Sequence, residues 1–143
     1  MTQATKISIE AVVNAPAETV WKAWNTPQHI MQWNAADPGW HCPASENDLR
    51  VQGKFKHRMQ ARDGSYGFDF EGRYDKVEPH REISYTMPDG RTVTTWFSEV
   101  EGKTTIKSTF DAETENSNEL QRQGWQAILN NFVNYVNSNK STI

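Results

Sequence analysis

The stretch NSNELQRQGWQAILNNFVNYVNSN, Asn116 to Asn139, decides how the rest of the chain has to fold. Leu120, Gly124, Ala127, Ile128, Asn131, Phe132, Tyr135 and Val136 recur at the three- and four-residue spacing of one helical face. Asn116 is placed to cap the amino end, with Glu119 reaching back to it. No proline interrupts the run, so the pattern predicts a helix of about six turns. Such a helix needs a broad apolar surface to lie on. Gly124 costs about 1 kcal/mol against alanine in a helix interior. Its presence implies either close packing over a strand or space left for a ligand.

The surface is supplied upstream, where the period is mostly two. Lys6 to Val13 alternates, with Ile7, Ile9, Ala11 and Val13 on one face. NAPAETVWKAW then changes period: Pro16 suits a first helical position, and Val20 and Trp24 fall one turn apart. That helix should end before Pro27, and Thr26 caps a second with Pro27 at its first position. From Asn34 to Asp48 no clean period exists, and the segment NAADPGWHCPASEND reads as a loop folded over an opening of the core. Strands follow in series. LRVQGKFKHRMQA turns Phe55, His57 and Met59 one way, and Asp63-Gly64 reverses the chain. SYGFDFEGRYDKVEP turns Tyr66, Phe68, Phe70, Gly72 and Tyr74 one way and its charges the other. REISYTM, RTVTTWFSEV and KTTIKSTFDA continue through turns at Asp89-Gly90 and Glu101-Gly102. The expected fold class is therefore α+β: one antiparallel sheet with a single apolar face, curved around one long helix.

Composition narrows the function. The chain has 143 residues and a formal net charge of −3, with its basic residues scattered. One domain covering 1–143 is expected, with no nucleic-acid or anionic-membrane partner. The single cysteine, Cys42, excludes an internal disulfide framework. The amino-terminal stretch MTQATKISIEAVV lacks the apolar core of a signal peptide, and no run is long enough to span a membrane. A cytoplasmic location is the expectation.

NAPAETVWKAWNTPQHIMQWNAADPGW, NDLRVQGKFKHRMQARDG, FDFEGRYDKVEPHREISYTMPDGR and ELQRQGWQAILNNFVNYV together resemble single-domain bacterial proteins of the Hsp90-ATPase-activator-homologue type. Those proteins belong to the START/Bet v 1-like (SRPBCC) superfamily. The resemblance spans nearly the whole chain, with several separated motifs in the right order. It implies a helix-grip fold in which the short helix pair closes one end of a sheet curled about the last helix. Where many relatives have two glycines after the DLR motif, this chain has Val51-Gln52-Gly53. The superfamily includes lipid, hormone and polyketide binders as well as some cyclases and hydrolases.

No residue pattern here specifies a reaction. His57 is the one histidine expected to face inward from a strand, and it is the only candidate general base. His41 and Cys42 are adjacent in sequence without a second spaced pair, so no metal is expected, and no cofactor is expected either. Asp69, Glu71, Arg73 and Asp75 alternate with aromatics and read as the wet side of a strand. Gly-rich phosphate loops and G-x-S-x-G elbows are missing.

The inward aromatics are instead interspersed with hydroxyls and amides, as in a small-molecule cavity. The expected ligand-binding set is Trp33, Trp40, Phe55, His57, Tyr66, Phe68, Tyr85, Thr95, Ser108, Gly124, Ile128 and Asn131. Three functions follow. The first is binding of a small hydrophobic or aromatic ligand between sheet and helix. The second is a cyclase- or hydrolase-like reaction there, with His57 as base and Tyr66 or Tyr85 orienting it. The third is a chaperone- or stress-related protein contact centred on Trp40.

Overall fold

A computed structural model describes residues 5–143; the first residues of the amino-terminal stretch read above, 1–4, lie outside them. The chain runs β1 (Lys6–Val13), α1 (Ala17–Asn25), α2 (Pro27–Trp33), β2 (Trp40–Asn47), β3 (Lys54–Ala61), β4 (Gly67–Glu78), β5 (Glu82–Thr86), β6 (Thr92–Val100), β7 (Lys103–Asp111) and α3 (Asn118–Asn139), with a final 3-10 turn. The strands form one seven-stranded antiparallel sheet in the order β1-β7-β6-β5-β4-β3-β2. Five of its six pairings join sequence neighbours, as the turn signals predict. The sixth brings β1 back to β7, from Lys6 opposite Asp111 to Val13 opposite Thr104.

Period-two alternation explains the buried side of this sheet. Ile7, Ile9 and Val13 of β1 are buried, as are Phe55 and Met59 of β3, Val93 and Phe97 of β6, and Ile106 and Phe110 of β7. Gly72 of β4 lies under the Phe55 ring, where a Cβ would stand 2.9 Å from two ring carbons, so only glycine lets that ring lie over the strand. The helix pair adds an aromatic cluster at one end. Trp24 stacks on Trp33 at 5.4 Å, and both meet the Phe132 ring of α3 edge-on at 4.9 Å. The Trp33 indole N–H donates to the Ala23 carbonyl, so its polar handle is satisfied inside the cluster.

The structure departs from the sequence reading in four places. Asn34 to Asp48 is not all loop: Trp40–Asn47 is the edge strand β2, paired antiparallel with β3 and bulged between His41 and Ala44. Pro43 lies in that bulge; proline lacks an N–H and is tolerated at an edge, and its presence erased the alternation. Pro16 caps α1 rather than opening it. The cap of α3 is Ser117, whose hydroxyl accepts from the Leu120 N–H, and not Asn116. Finally, the buried stripe of α3 is rotated from the one expected. Gln121, Leu129, Phe132 and Val136 are buried, while Leu120 is 55% exposed. The helix length of about six turns is as read. None of the helices is long and apolar enough to cross a membrane, among the described residues.

Candidate functional site

A cavity of about 350 Å³ lies between the apolar face of the sheet and α3. Alternation along successive strands builds one wall: Phe55, His57 and Met59 from β3, Phe68, Phe70 and Tyr74 from β4, then Ile83 and Tyr85 from β5. Val93 and Thr95 of β6 and Ser108 of β7 continue it. Trp125 and Ile128, three residues apart on α3, form the opposite side, and Trp24, Ile30 and Trp33 close the end. Trp125 holds helix and sheet apart: it stacks on Phe110 at 3.9 Å and meets Phe70 edge-on at 6.0 Å. This volume lies at the small end of what ligand sites occupy.

The polar groups in this lining differ in how well they are satisfied. Thr95 and Ser108 share a buried 2.7 Å hydrogen bond. Tyr74 donates to the Asn47 amide oxygen at 2.5 Å, and burial holds its phenol above the usual range. His57 Nδ1 is 2.9 Å from the Ser45 hydroxyl, and burial lowers its pKa to about 4, so the ring is neutral at pH 7. Its Nε2 and the Tyr85 hydroxyl have no protein partner among the described residues, yet neither is sealed off. Burial raises the Tyr85 phenol strongly, so it too stays neutral. Arg91 is the lining residue with a formal charge.

This geometry sorts the sequence-derived set. Trp33, Phe55, His57, Phe68, Tyr85, Thr95, Ser108 and Ile128 come together around the cavity. Trp40, Tyr66, Gly124 and Asn131 are not in its lining. Asn131 instead donates to the Ala35 carbonyl, tying α3 to the segment after α2. Tyr66 is 63% exposed and sits with half-buried Trp40 and with Phe68, which also reaches the cavity, at centroid distances of 5.9 to 6.4 Å. At Gly124 neither expected reason for a glycine is met: a Cβ there would touch nothing within 4 Å, and the cavity lies elsewhere.

Among the lining residues that the sequence-derived set lacks are Trp24, Arg91 and Trp125. Trp125 carried a usable signal, since Gln121, Trp125, Ile128, Leu129, Phe132 and Val136 also follow helical spacing. Arg91 carried none, because a basic residue beside an Asp-Gly turn reads as solvated.

A histidine with a pKa near 4 is a weak base at neutral pH, and its bonded partner is a serine hydroxyl rather than a carboxylate. The Tyr66 part of the expected catalytic arrangement is not at the cavity. Cys42 is buried, its thiol directed to the Ala44 carbonyl at 3.3 Å and its pKa raised by burial, the state of a packed side chain rather than a nucleophile. No group of three His, Cys, Asp or Glu is placed to hold a metal among the described residues. A larger recess of about 600 Å³ runs along Glu46, Lys54, Lys56, Glu71 and Arg73. Its charges are mixed and exposed, whereas the smaller cavity is lined mainly by apolar side chains, so the smaller cavity is the better candidate.

Residues 14–137 match the family described as Activator of Hsp90 ATPase homolog 1-like protein. The solution NMR structure of an AHSA1-like protein from Aeromonas hydrophila is similar, with a TM-score of 0.88 at 48% identity, covering 94% of this chain and 93% of that one. A solution structure from Cytophaga hutchinsonii has a TM-score of 0.81 at 48% identity, covering 96% of each chain. A crystal structure from Chromobacterium violaceum shares the fold, with a TM-score of 0.82 at 24% identity over 92% of this chain and 96% of that one. The comparison with curated proteins yields no match.

Proposed function

Because this chain belongs to the Activator of Hsp90 ATPase homolog 1-like family, whose helix-grip fold encloses space under the last helix, we propose that it binds a small, largely apolar ligand between sheet and α3 without transforming it. The observation that supports this reading is a cavity of about 350 Å³ under α3, lined mainly by aromatic and aliphatic side chains, into which Tyr85 and His57 bring polar atoms with no protein partner among the described residues. An apolar space with a few reachable polar groups is the composition of a small-molecule site. Each methylene buried there contributes about 0.8 kcal/mol to binding.

The test is a tryptophan-fluorescence titration with lipids, flavonoids and aromatic polyketides, run in parallel on an Ile128→Trp variant that fills the cavity. Saturable quenching in the parent that is lost in a folded Ile128→Trp protein supports the reading. Equal quenching in both, or none in either, removes it.

A second reading rests on a different observation, the group of exposed Tyr66 and Phe68 with half-buried Trp40, which has the composition of a protein-contact anchor. Partner capture that survives Trp40→Ala would dismiss it.

A further inference from the structure

The cavity has a sign. Among its lining residues Arg91 is the one with a formal charge, and no carboxylate lines it. Arg91 sits just after the Asp89-Gly90 turn that joins β5 to β6, and its side chain is 30% exposed, which places it where the cavity meets solvent. Asp89 accepts from Arg91 Nε at 2.7 Å and from the Arg91 backbone N–H at 3.1 Å. These bonds fix the guanidinium plane from its Nε side. The two Nη groups make no hydrogen bond to the described residues, so the forked end of the guanidinium remains available. That end is the part of arginine that matches a planar oxyanion. On the neighbouring strand Tyr85 offers its unpartnered hydroxyl, and the Arg91 charge reaches that phenol. His57 at the cavity wall is neutral and adds no second charge.

We propose, building on the cavity-binding reading, that the ligand is an apolar, ring-bearing monoanion, its acid group held by the Arg91 Nη atoms and the Tyr85 O–H. The ring system lies against Trp125, Phe70 and Phe55. Neutral lipids and sterols are poorer occupants, because they offer no acceptor to the Nη groups that Asp89 leaves unbonded. Asp89 is a positioning residue in this scheme.

Two fluorescent probes that share one ring system separate the charge from the apolar body: anilinonaphthalene sulfonate, an anion, and neutral phenylnaphthylamine. The expected result is about ten-fold tighter binding of the anion to the parent protein, as for one charge-assisted contact at a partly exposed site. High salt should narrow that preference. Arg91→Gln should abolish the preference for the anion over the neutral probe, and Arg91→Lys should keep part of it. Equal affinities in the parent, or a preference that survives Arg91→Gln, would overturn the anion assignment and leave cavity binding standing. Failure of both probes to bind, or binding unaffected by Ile128→Trp, would overturn both. If Arg91→Gln does not fold, the comparison of the two probes on the parent at low and high salt decides the matter alone.

Discussion

Ser45 of β2 stands opposite His57 of β3 in the strand register, and its hydroxyl lies 2.9 Å from His57 Nδ1. One ring nitrogen is therefore occupied by the edge strand and the other is left at the cavity. Either tautomer satisfies the serine, so Nε2 can present a donor or an acceptor to whatever enters.

This pair makes stability depend on pH in a known direction. Burial depresses His57 to about 4 from its ordinary 6.5, so the unfolded chain binds the proton more readily. Stability is complete above the unfolded value and falls as pH drops from about 6.5 toward 4, by up to about 3 kcal/mol. His29, also lowered by burial and by Lys22, adds in the same sense. Urea denaturation across pH 4 to 7 should show this slope, and His57→Gln should flatten most of it. An unchanged slope in that variant would refute the assignment to His57.

Gly124→Ala should stabilise the protein by about 0.5–1 kcal/mol. The helix gains a better former, and the new methyl meets nothing within 4 Å. A thermal melt checks this. A lower melting temperature would mean that Gly124 has a neighbour or a role not accounted for.

Gln52 occupies left-handed backbone at φ 73°, just before Gly53 and where the sequence reads as having lost a glycine. Gln52→Gly relieves that strain and loses some of the gain to extra freedom in the unfolded chain, for a net gain of roughly 0.5 kcal/mol. Chemical denaturation of the two proteins side by side measures it, and a loss of stability would contradict it.

Thr95 and Ser108 satisfy each other in the cavity wall. Thr95→Val leaves the Ser108 hydroxyl without that partner and should cost about 1–3 kcal/mol. Thr95→Val with Ser108→Ala should cost clearly less than the two single changes added together. Strict additivity in this cycle would show that the two hydroxyls do not act as a pair.

The fold was legible because its signals repeat. Ile7, Ile9 and Val13 announce β1, Asp63-Gly64, Asp89-Gly90 and Glu101-Gly102 announce three reversals, and α3 has no competing period. β2 was not legible, because Pro43 and the bulge around it remove the alternation that marks a strand. The wall residues contributed by strands, Phe55, His57, Tyr85, Thr95 and Ser108, follow from alternation alone once the inward side is known. The helix side does not, because Leu120 and Gly124 complete a plausible stripe next to the true one through Gln121 and Trp125. Which of two adjacent stripes is buried depends on where the curvature of the sheet ends, and that is a property of distant strands. Arg91 was hidden for a related reason: whether a charge beside a turn faces out or inward depends on how far the hairpin leans over α3.

The return of β1 to β7 also sets the order in which the molecule can assemble. β2 through β7 form a meander whose hairpins close as each strand leaves the ribosome. β1 is made first, yet its only strand partner is made last but for α3. Until residue 111 is available, the inward side chains of β1 have no sheet to join, and the aromatic hollow stays uncovered until α3 follows. Closure of the hollow and capture of the first strand therefore belong to one late, long-range step, the kind that limits folding rate and leaves nascent chains most in need of protection.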